Sequence, residues 1–284
     1  MSSWIDEELQ GCEFSDKRLK TRLFQIVSQL SGKVGESLPT ACQDWANTKA
    51  AYRFFSNPSL DEGEILAGHF QATRERFRAT KGLILVLHDT TEITYKRAEP
   101  EKVGFTRKCA NRKGLFDQKI KRAVCGILMH SSLVLTQEGL PLGFAAKKFW
   151  SRDKFKGVKA LYAKKNATRI PIEEKESYRW IENLKSSDKL LGELGRVIHV
   201  GDRESDIYDF FRAAQDDGSH FLVRIKVNRR TEDEAVTIHD ALESAKKQGI
   251  HRIYYRDKDG DEVSADLEVR FENFFDLIWN VNQG

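Results

Sequence analysis

Cysteine is scarce in this 284-residue sequence, and its four copies stand far apart. Cys12, Cys42, Cys109 and Cys125 make no CxxC pair, which argues against a zinc site or a disulfide framework and predicts a reducing compartment. Long apolar runs are missing too. The run Leu83–Leu87 falls far short of the ~20 residues a membrane helix needs. The opening "MSSWIDEELQ" is acidic and has no apolar stretch, so no secretory leader is predicted and a cytoplasmic location is expected. No GxSxG and no HExxH occurs, and "SGKVGES" lacks both the Walker spacing and a strand before it. No internal repeat is evident.

What is present suits a soluble globular protein of about two domains: 40% of residues are hydrophobic and 32% charged. The net charge of +4 conceals a strong division. Residues 1–80 carry a net −1, residues 81–170 a net +13 and the remainder −8. Clustered Lys and Arg favour a polyanionic partner, because they attract phosphates and displace counterions. A solvated basic surface is the alternative that charge alone leaves open.

Residues 5–80 read as helical. "DKRLKTRLFQIVSQLSG" places Leu19, Leu23, Ile26, Val27 and Leu30 at helical spacing between Ser15/Asp16 caps and a Gly32 stop. "LPTACQDWANTKAAYRFFSNPS" predicts one helix capped by Thr40 and ended at Asn57-Pro58, with Trp45, Tyr52, Phe54 and Phe55 in its core. "LDEGEILAGHFQATRERFRAT" predicts a third, with acidic residues in the first turn. Beyond Lys81 the period shortens to that of strands. Leu83–Leu87, "RAVCGILMHSSLVLT" and "LPLGFAAKKFW" come first, the last two joined at Gln137–Gly139. A helix from Pro171 and a fourth strand, "RVIHV", follow, then a helix ended by Gly218 and a fifth strand, "HFLVRIKV". This order predicts an α/β fold with a mixed sheet, part antiparallel and part parallel.

Two of these strands run into an aspartate: Leu83–Leu87 into Asp89, and Val197–Val200 into Asp202. Ligands of open sheets gather beyond the carboxyl ends of parallel strands, so the two carboxylates are expected side by side. Such a pair repels unless a cation neutralises it, and Mg²⁺ favours one or two carboxylates together with phosphate oxygens. That combination suits metal-assisted phosphoryl transfer. His88, His130 and His199 are expected to be packed, hydrogen-bonded histidines and not ligands.

The stretches "DKRLKTRL", "ANTKAAYRFFSN", "ILAGHFQATRERF", "HDTTEITY", "EEKESYRWIENL", "GDRESDIYDFF" and "HFLVRIKVNRR", in that order, resemble the transposases of the bacterial IS4 group, relatives of the Tn5 transposase. The resemblance implies a helical DNA-binding domain over 1–78, an RNase H-like catalytic core over 79–230 with a mixed five-stranded sheet and flanking helices, and the start of a β-rich insertion over 231–284. It implies a cut-and-paste transposase that binds transposon ends in double-stranded DNA, cleaves them and joins them to target DNA. The cofactor would be Mg²⁺ or Mn²⁺ on an Asp-Asp-Glu triad. Asp89 and Asp202 match the two aspartates. The family's Tyr-x2-Arg-x3-Glu-x6-Lys pattern is not found in residues 205–284, so the third catalytic Glu is expected to be missing from a truncated chain. An inactive DNA-binding remnant or inhibitor is therefore the alternative. A homodimer is expected for synapsis.

For DNA contact the sequence offers Arg18, Lys20, Arg22, Lys49 and Arg53 in the helical part. Lys147, Lys148, Lys154 and Lys156 lie in the basic stretch, while Arg224 and Lys226 alternate along the fifth strand. Phe149, Trp150, Phe155 and Tyr162 are interleaved with the bases, and burial is the expectation for them. Lys175, Glu176 and Arg179 are expected on one helix, supporting the acidic site; simple helix pairing is the other reading of them.

Overall fold

Each of the first five helices begins on a side chain that accepts a hydrogen bond from its first turn: Ser3, Asp16, Ser37, Asp44 and Asp61. These caps satisfy amides that a helix start otherwise leaves without partners. The computed structural model describes residues 3–108, 112–113, 119–120, 123–152, 170–231 and 236–271. The chain divides after Arg224 into two units.

The first unit opens with α1 (Trp4–Leu9), α2 (Lys17–Ser31), α3 (Leu38–Cys42), α4 (Trp45–Phe55) and α5 (Glu62–Ala79). Asp16 and Gly32 bound α2 as its pattern predicts. The single helix expected after Pro39 is two helices. Ser37, not Thr40, caps α3, and Pro39 sits in its first turn, where a missing N–H costs nothing. Gln43 then takes a left-handed conformation, φ 64°, which breaks the chain direction before Asp44 starts α4. Ile5, Leu9, Leu23, Ile26, Ala51 and Phe54 make the core of this helical group. A side chain on Gly68 of α5 would meet the Glu8 carbonyl of α1 at 2.4 Å, so only glycine permits that approach.

The sheet is built from β1 (Ile84–Thr94), β2 (Phe105–Lys108), β5 (Ala123–Thr136), β6 (Pro141–Trp150), β7 (Val197–Gly201) and β8 (His220–Val223); the two-residue strands β3 (Arg112–Lys113) and β4 (Lys119–Ile120) pair with each other. β6, β5 and β1 are antiparallel neighbours, and β1, β7 and β8 run parallel. β2 continues the outer row beside the start of β5. The mixed sheet expected from the sequence is thus present, but with six strands and not five because β2 joins the outer row, and with one further difference that matters. β1 does not stop before Asp89 but continues to Thr94, because β5 pairs with it over all eleven residues. Its parallel partner β7 covers only Ile84–Leu87.

Along β1, Ile84, Val86 and His88 are buried while Leu85 and Leu87 are half-buried, the alternation of a strand with one well-covered face. Two helices follow in the chain, α6 (Tyr178–Leu191) and α7 (Tyr208–Asp217), both closed by left-handed glycines, Gly192 and Gly218. Their facing sides bury Trp180, Ile181, Leu184, Phe210 and Ala214. The helix expected from Pro171 begins later. Ile172–Glu174 form one 3-10 turn, Lys175 is extended, and α6 starts at Tyr178. Three carboxylates at 173, 174 and 176 repel one another within a single turn, which disfavours a continuous helix there. β8 ends at Val223, so Arg224 and Lys226 lie beyond the strand on which they were expected to alternate.

The second unit holds α8 (Ile238–Ser244), started by a Thr237/Asp240 capping box, and the hairpin β9 (Lys247–Arg256)/β10 (Glu262–Arg270). No helix among the described residues is long and apolar enough to cross a membrane.

Candidate functional site

The parallel ladder places the two aspartates. Its last pair is Leu87 with Val200, and Asp89 and Asp202 each lie two residues further on. Both line one cleft of about 330 Å³, together with Thr90, Glu92, Trp150, Arg152, Glu176, Arg179 and Glu204. The two strand-to-aspartate patterns, 113 positions apart, therefore meet on one surface.

Local structure fixes each side chain. Asp202 caps the 3-10 turn Arg203–Ser205, its carboxylate accepting the Glu204 N–H at 2.8 Å. A side chain on Gly201 would meet Ser205 Oγ at 2.2 Å, so glycine is required where β7 turns off the sheet. The Asp89 carboxylate makes no hydrogen bond or ion pair among the described residues. The other acids of the cleft are engaged. Glu92 accepts from Thr106 and faces Arg107, Glu176 accepts from Arg152 and from Trp150 Nε1, and Glu204 accepts from Arg179.

Arg179 is a hub. Its Nε donates to Thr90 Oγ1 at 3.2 Å, Nη1 to the Glu176 carbonyl at 3.0 Å and Nη2 to Glu204. Its guanidinium also lies over the Trp150 ring, 5.5 Å from the centroid. Of the expected group Lys175, Glu176 and Arg179, only Arg179 is on a helix. The Glu176 side chain reaches β6's end through Arg152 and does not pair along a helix turn. Glu92 and Glu204 were not singled out from the sequence, and Arg152 was read only as part of the basic stretch. Glu204 stands inside the "GDRESD" stretch, and its place two residues after Asp202 is the signal that could have found it.

Beneath the cleft lies a buried polar chain through His88, His199 and Asp188, with Ser132 and Asn183 at one end. The packed histidines expected from the sequence are there, hydrogen-bonded as expected. Burial pushes His88 well below the usual histidine range, with His199 and His130 beside it acting in the same direction. His130, in contact with Thr90 at 2.9 Å, is pushed down to about 3 by burial and by the nearby Arg179 charge.

Among the described residues no group of three or more His, Cys, Asp or Glu side chains is placed to hold a metal ion. The pair that remains, Asp89 and Asp202, supplies hard oxygen donors, one carboxylate having no other partner. That fits Mg²⁺ or Mn²⁺ in its usual manner, with few protein carboxylates and the other ligands from water and phosphate.

The basic candidates scatter. Arg18 pairs with Asp16 at 2.8 Å and Lys20 donates to the Gln10 carbonyl. Arg22 is half-buried on α2. Lys147 and Lys148 are held by Glu62 of α5 and Glu182 of α6. Arg224 donates its N–H to the Gly201 carbonyl. Lys226 belongs to the second unit. Lys154 and Lys156, like Phe155 and Tyr162, lie outside the described residues. Lys49 and Arg53 are different: both are exposed on α4 and form no ion pair there among the described residues. The aromatic core expected on this helix is only partly a core. Phe54 is buried, whereas Trp45 is 77% exposed, Tyr52 54% and Phe55 52%. At helical spacing, Trp45, Lys49, Tyr52 and Arg53 share one outward face.

Residues 1–60 match the family model for transposase DNA-binding domains. The matched stretch spans α1 to α4 and the turn before α5. It supports a transposase, and DNA as the partner of the helical group.

Proposed function

We propose that the chain is a DNA transposase of a cut-and-paste element, an IS4-group relative in which residues 1–78 bind transposon ends and residues 79–230 form an RNase H-like core. The transposase DNA-binding match over residues 1–60 carries this reading. The mixed sheet with flanking helices is compatible with that core. The outward face of α4 is the DNA contact: Lys49 and Arg53 neutralise phosphates, and Trp45 and Tyr52 supply flat apolar surface against sugar or base. In the cleft, Asp89 and Asp202 hold the divalent ion, which supplies activation of water and stabilisation of a leaving oxygen. Arg179 and Arg152 offset the negative charge gathered around it. A second reading is a DNA-binding protein without cleavage, which the match of residues 1–60 to a DNA-binding domain supports equally. A gel assay on labelled terminal-repeat DNA, with and without Mg²⁺, separates the two. The first reading expects Mg²⁺-dependent nicking that Asp89→Asn and Asp202→Asn abolish, and the second expects binding without nicking; nicking that survives either substitution refutes the catalytic assignment.

A further inference from the structure

The polar chain beneath the acid pair has one self-consistent set of protons. Asp188 is buried and accepts at both oxygens, from His199 Nε2–H at 2.9 Å and from Ser219 O–H at 3.0 Å. With its proton on Nε2, His199 accepts at Nδ1 from His88 Nε2–H at 2.8 Å. His88 Nδ1 in turn accepts from Ser132 O–H at 2.9 Å, and Ser132 Oγ accepts from Asn183 at 3.1 Å. Every link runs in one direction, and both ring nitrogens of His88 and of His199 are paired.

Its position is the informative part. Backbone pairing between β1 and β7 ends at Leu87 and Val200. Beyond that point β1 stays on the sheet with β5, while β7 turns into the 3-10 segment at Arg203. The His88–His199 bond spans these two strands at the fork, one residue before Asp89 and three before Asp202. Apolar side chains of similar volume would fill this interior without the desolvation cost of a buried polar chain, so packing alone does not call for one. A directional bond, in contrast, fixes a separation.

We infer that His88, His199 and Asp188 are positioning residues that set the spacing of Asp89 and Asp202, and through it the affinity of the pair for a divalent cation. The inference rests on the reading of that pair as a cation site. Mn²⁺ titration of the full 284-residue chain, followed by electron paramagnetic resonance, tests it. Wild type binds Mn²⁺ and Asp89→Asn does not. The triple variant His88→Leu/His199→Leu/Asp188→Leu folds, as its thermal transition shows, but its Mn²⁺ dissociation constant rises about tenfold or more. Asp188→Asn keeps an acceptor for His199 and a donor for Ser219, and retains wild-type affinity. A folded triple variant with wild-type affinity overturns the inference, as does an Asp188→Asn variant as weak as the triple. If the triple variant does not fold, imidazole ¹⁵N shifts of the wild type decide: His88 and His199 signals move on adding Mg²⁺ in wild type and not in Asp89→Asn, and signals indifferent to Mg²⁺ overturn the proposal. Absence of any Mn²⁺ binding that Asp89→Asn removes is a different failure, that of the cation-site reading itself.

Discussion

Arg179 donates to Glu204 at 2.5 Å, tying α6 to the turn that follows Asp202. The guanidinium side is nearly buried, 10% exposed, and Glu204 is 62% exposed, so the pair is asymmetric. Its energetic weight lies with the arginine, which also serves Thr90 and the Glu176 carbonyl. Arg179→Gln is expected to cost about 1.5–3 kcal/mol in urea unfolding, the range for buried hydrogen bonds to a charged group. It also removes the second cause of the depressed His130 pKa. NMR titration should then find the His130 midpoint raised from its wild-type position of about 3.

Asp89 brings a carboxylate without a partner next to other acids. A residue kept for binding and not for folding should be replaceable at no structural cost. Asp89→Asn is expected to leave stability unchanged or to raise it by ~0.5–1 kcal/mol, while Mn²⁺ binding is lost. A clear drop in thermal midpoint would assign Asp89 a structural role instead.

Substitutions along α4 should divide by face. Trp45→Ala and Tyr52→Ala change stability by less than about 0.5 kcal/mol, as exposed positions do, and weaken binding to terminal-repeat DNA. Phe54→Ala, buried between Phe14 and Phe55, costs ~3–5 kcal/mol. Lys49→Ala and Arg53→Ala each lower the salt dependence of DNA affinity by about one unit of slope, measured by fluorescence anisotropy across a salt series.

How much of this was legible beforehand differs by feature. Helix α2 was written in its caps, and β5 and β6 in their apolar runs around a polar turn. The length of β1 was not: its β-branched "TTEIT" suits a strand, but the β5 pairing that carries it past Asp89 comes from residues far along the chain. Asp89 and Asp202 could be paired from a repeated local pattern. The histidine chain could not, since His88 and His199 stand 111 positions apart and each looks like an isolated core residue. The exposed aromatics of α4 were misjudged because apolar character was weighed without its neighbours. Lys49 and Arg53, four and eight residues after Trp45, already marked that side of the helix as outward.

Acid should destabilise the protein through its buried histidines. In the folded state His130 is held neutral down to about 3, and His88 is also pushed far below its ordinary value. In the unfolded chain both protonate near pH 6.5. The folded pKa is the lower one, so the unfolded state binds more protons and stability falls as pH drops below about 6.5. Each histidine contributes about 1.4 kcal/mol per pH unit, until its folded-state pKa is reached. Calorimetry at pH 7 and pH 5 should record a clearly lower transition in the acid sample, and His130→Phe should shrink that difference.

The unequal seams on either side of β1 have a dynamic consequence. Eleven residues of β1 are matched to β5, but only four to β7. Amide hydrogens of the shorter seam should exchange with solvent first, through a partial opening that leaves the β1–β5 half intact. Asp202 would swing away while Asp89 stays put, so the two carboxylates can part company long before the protein melts.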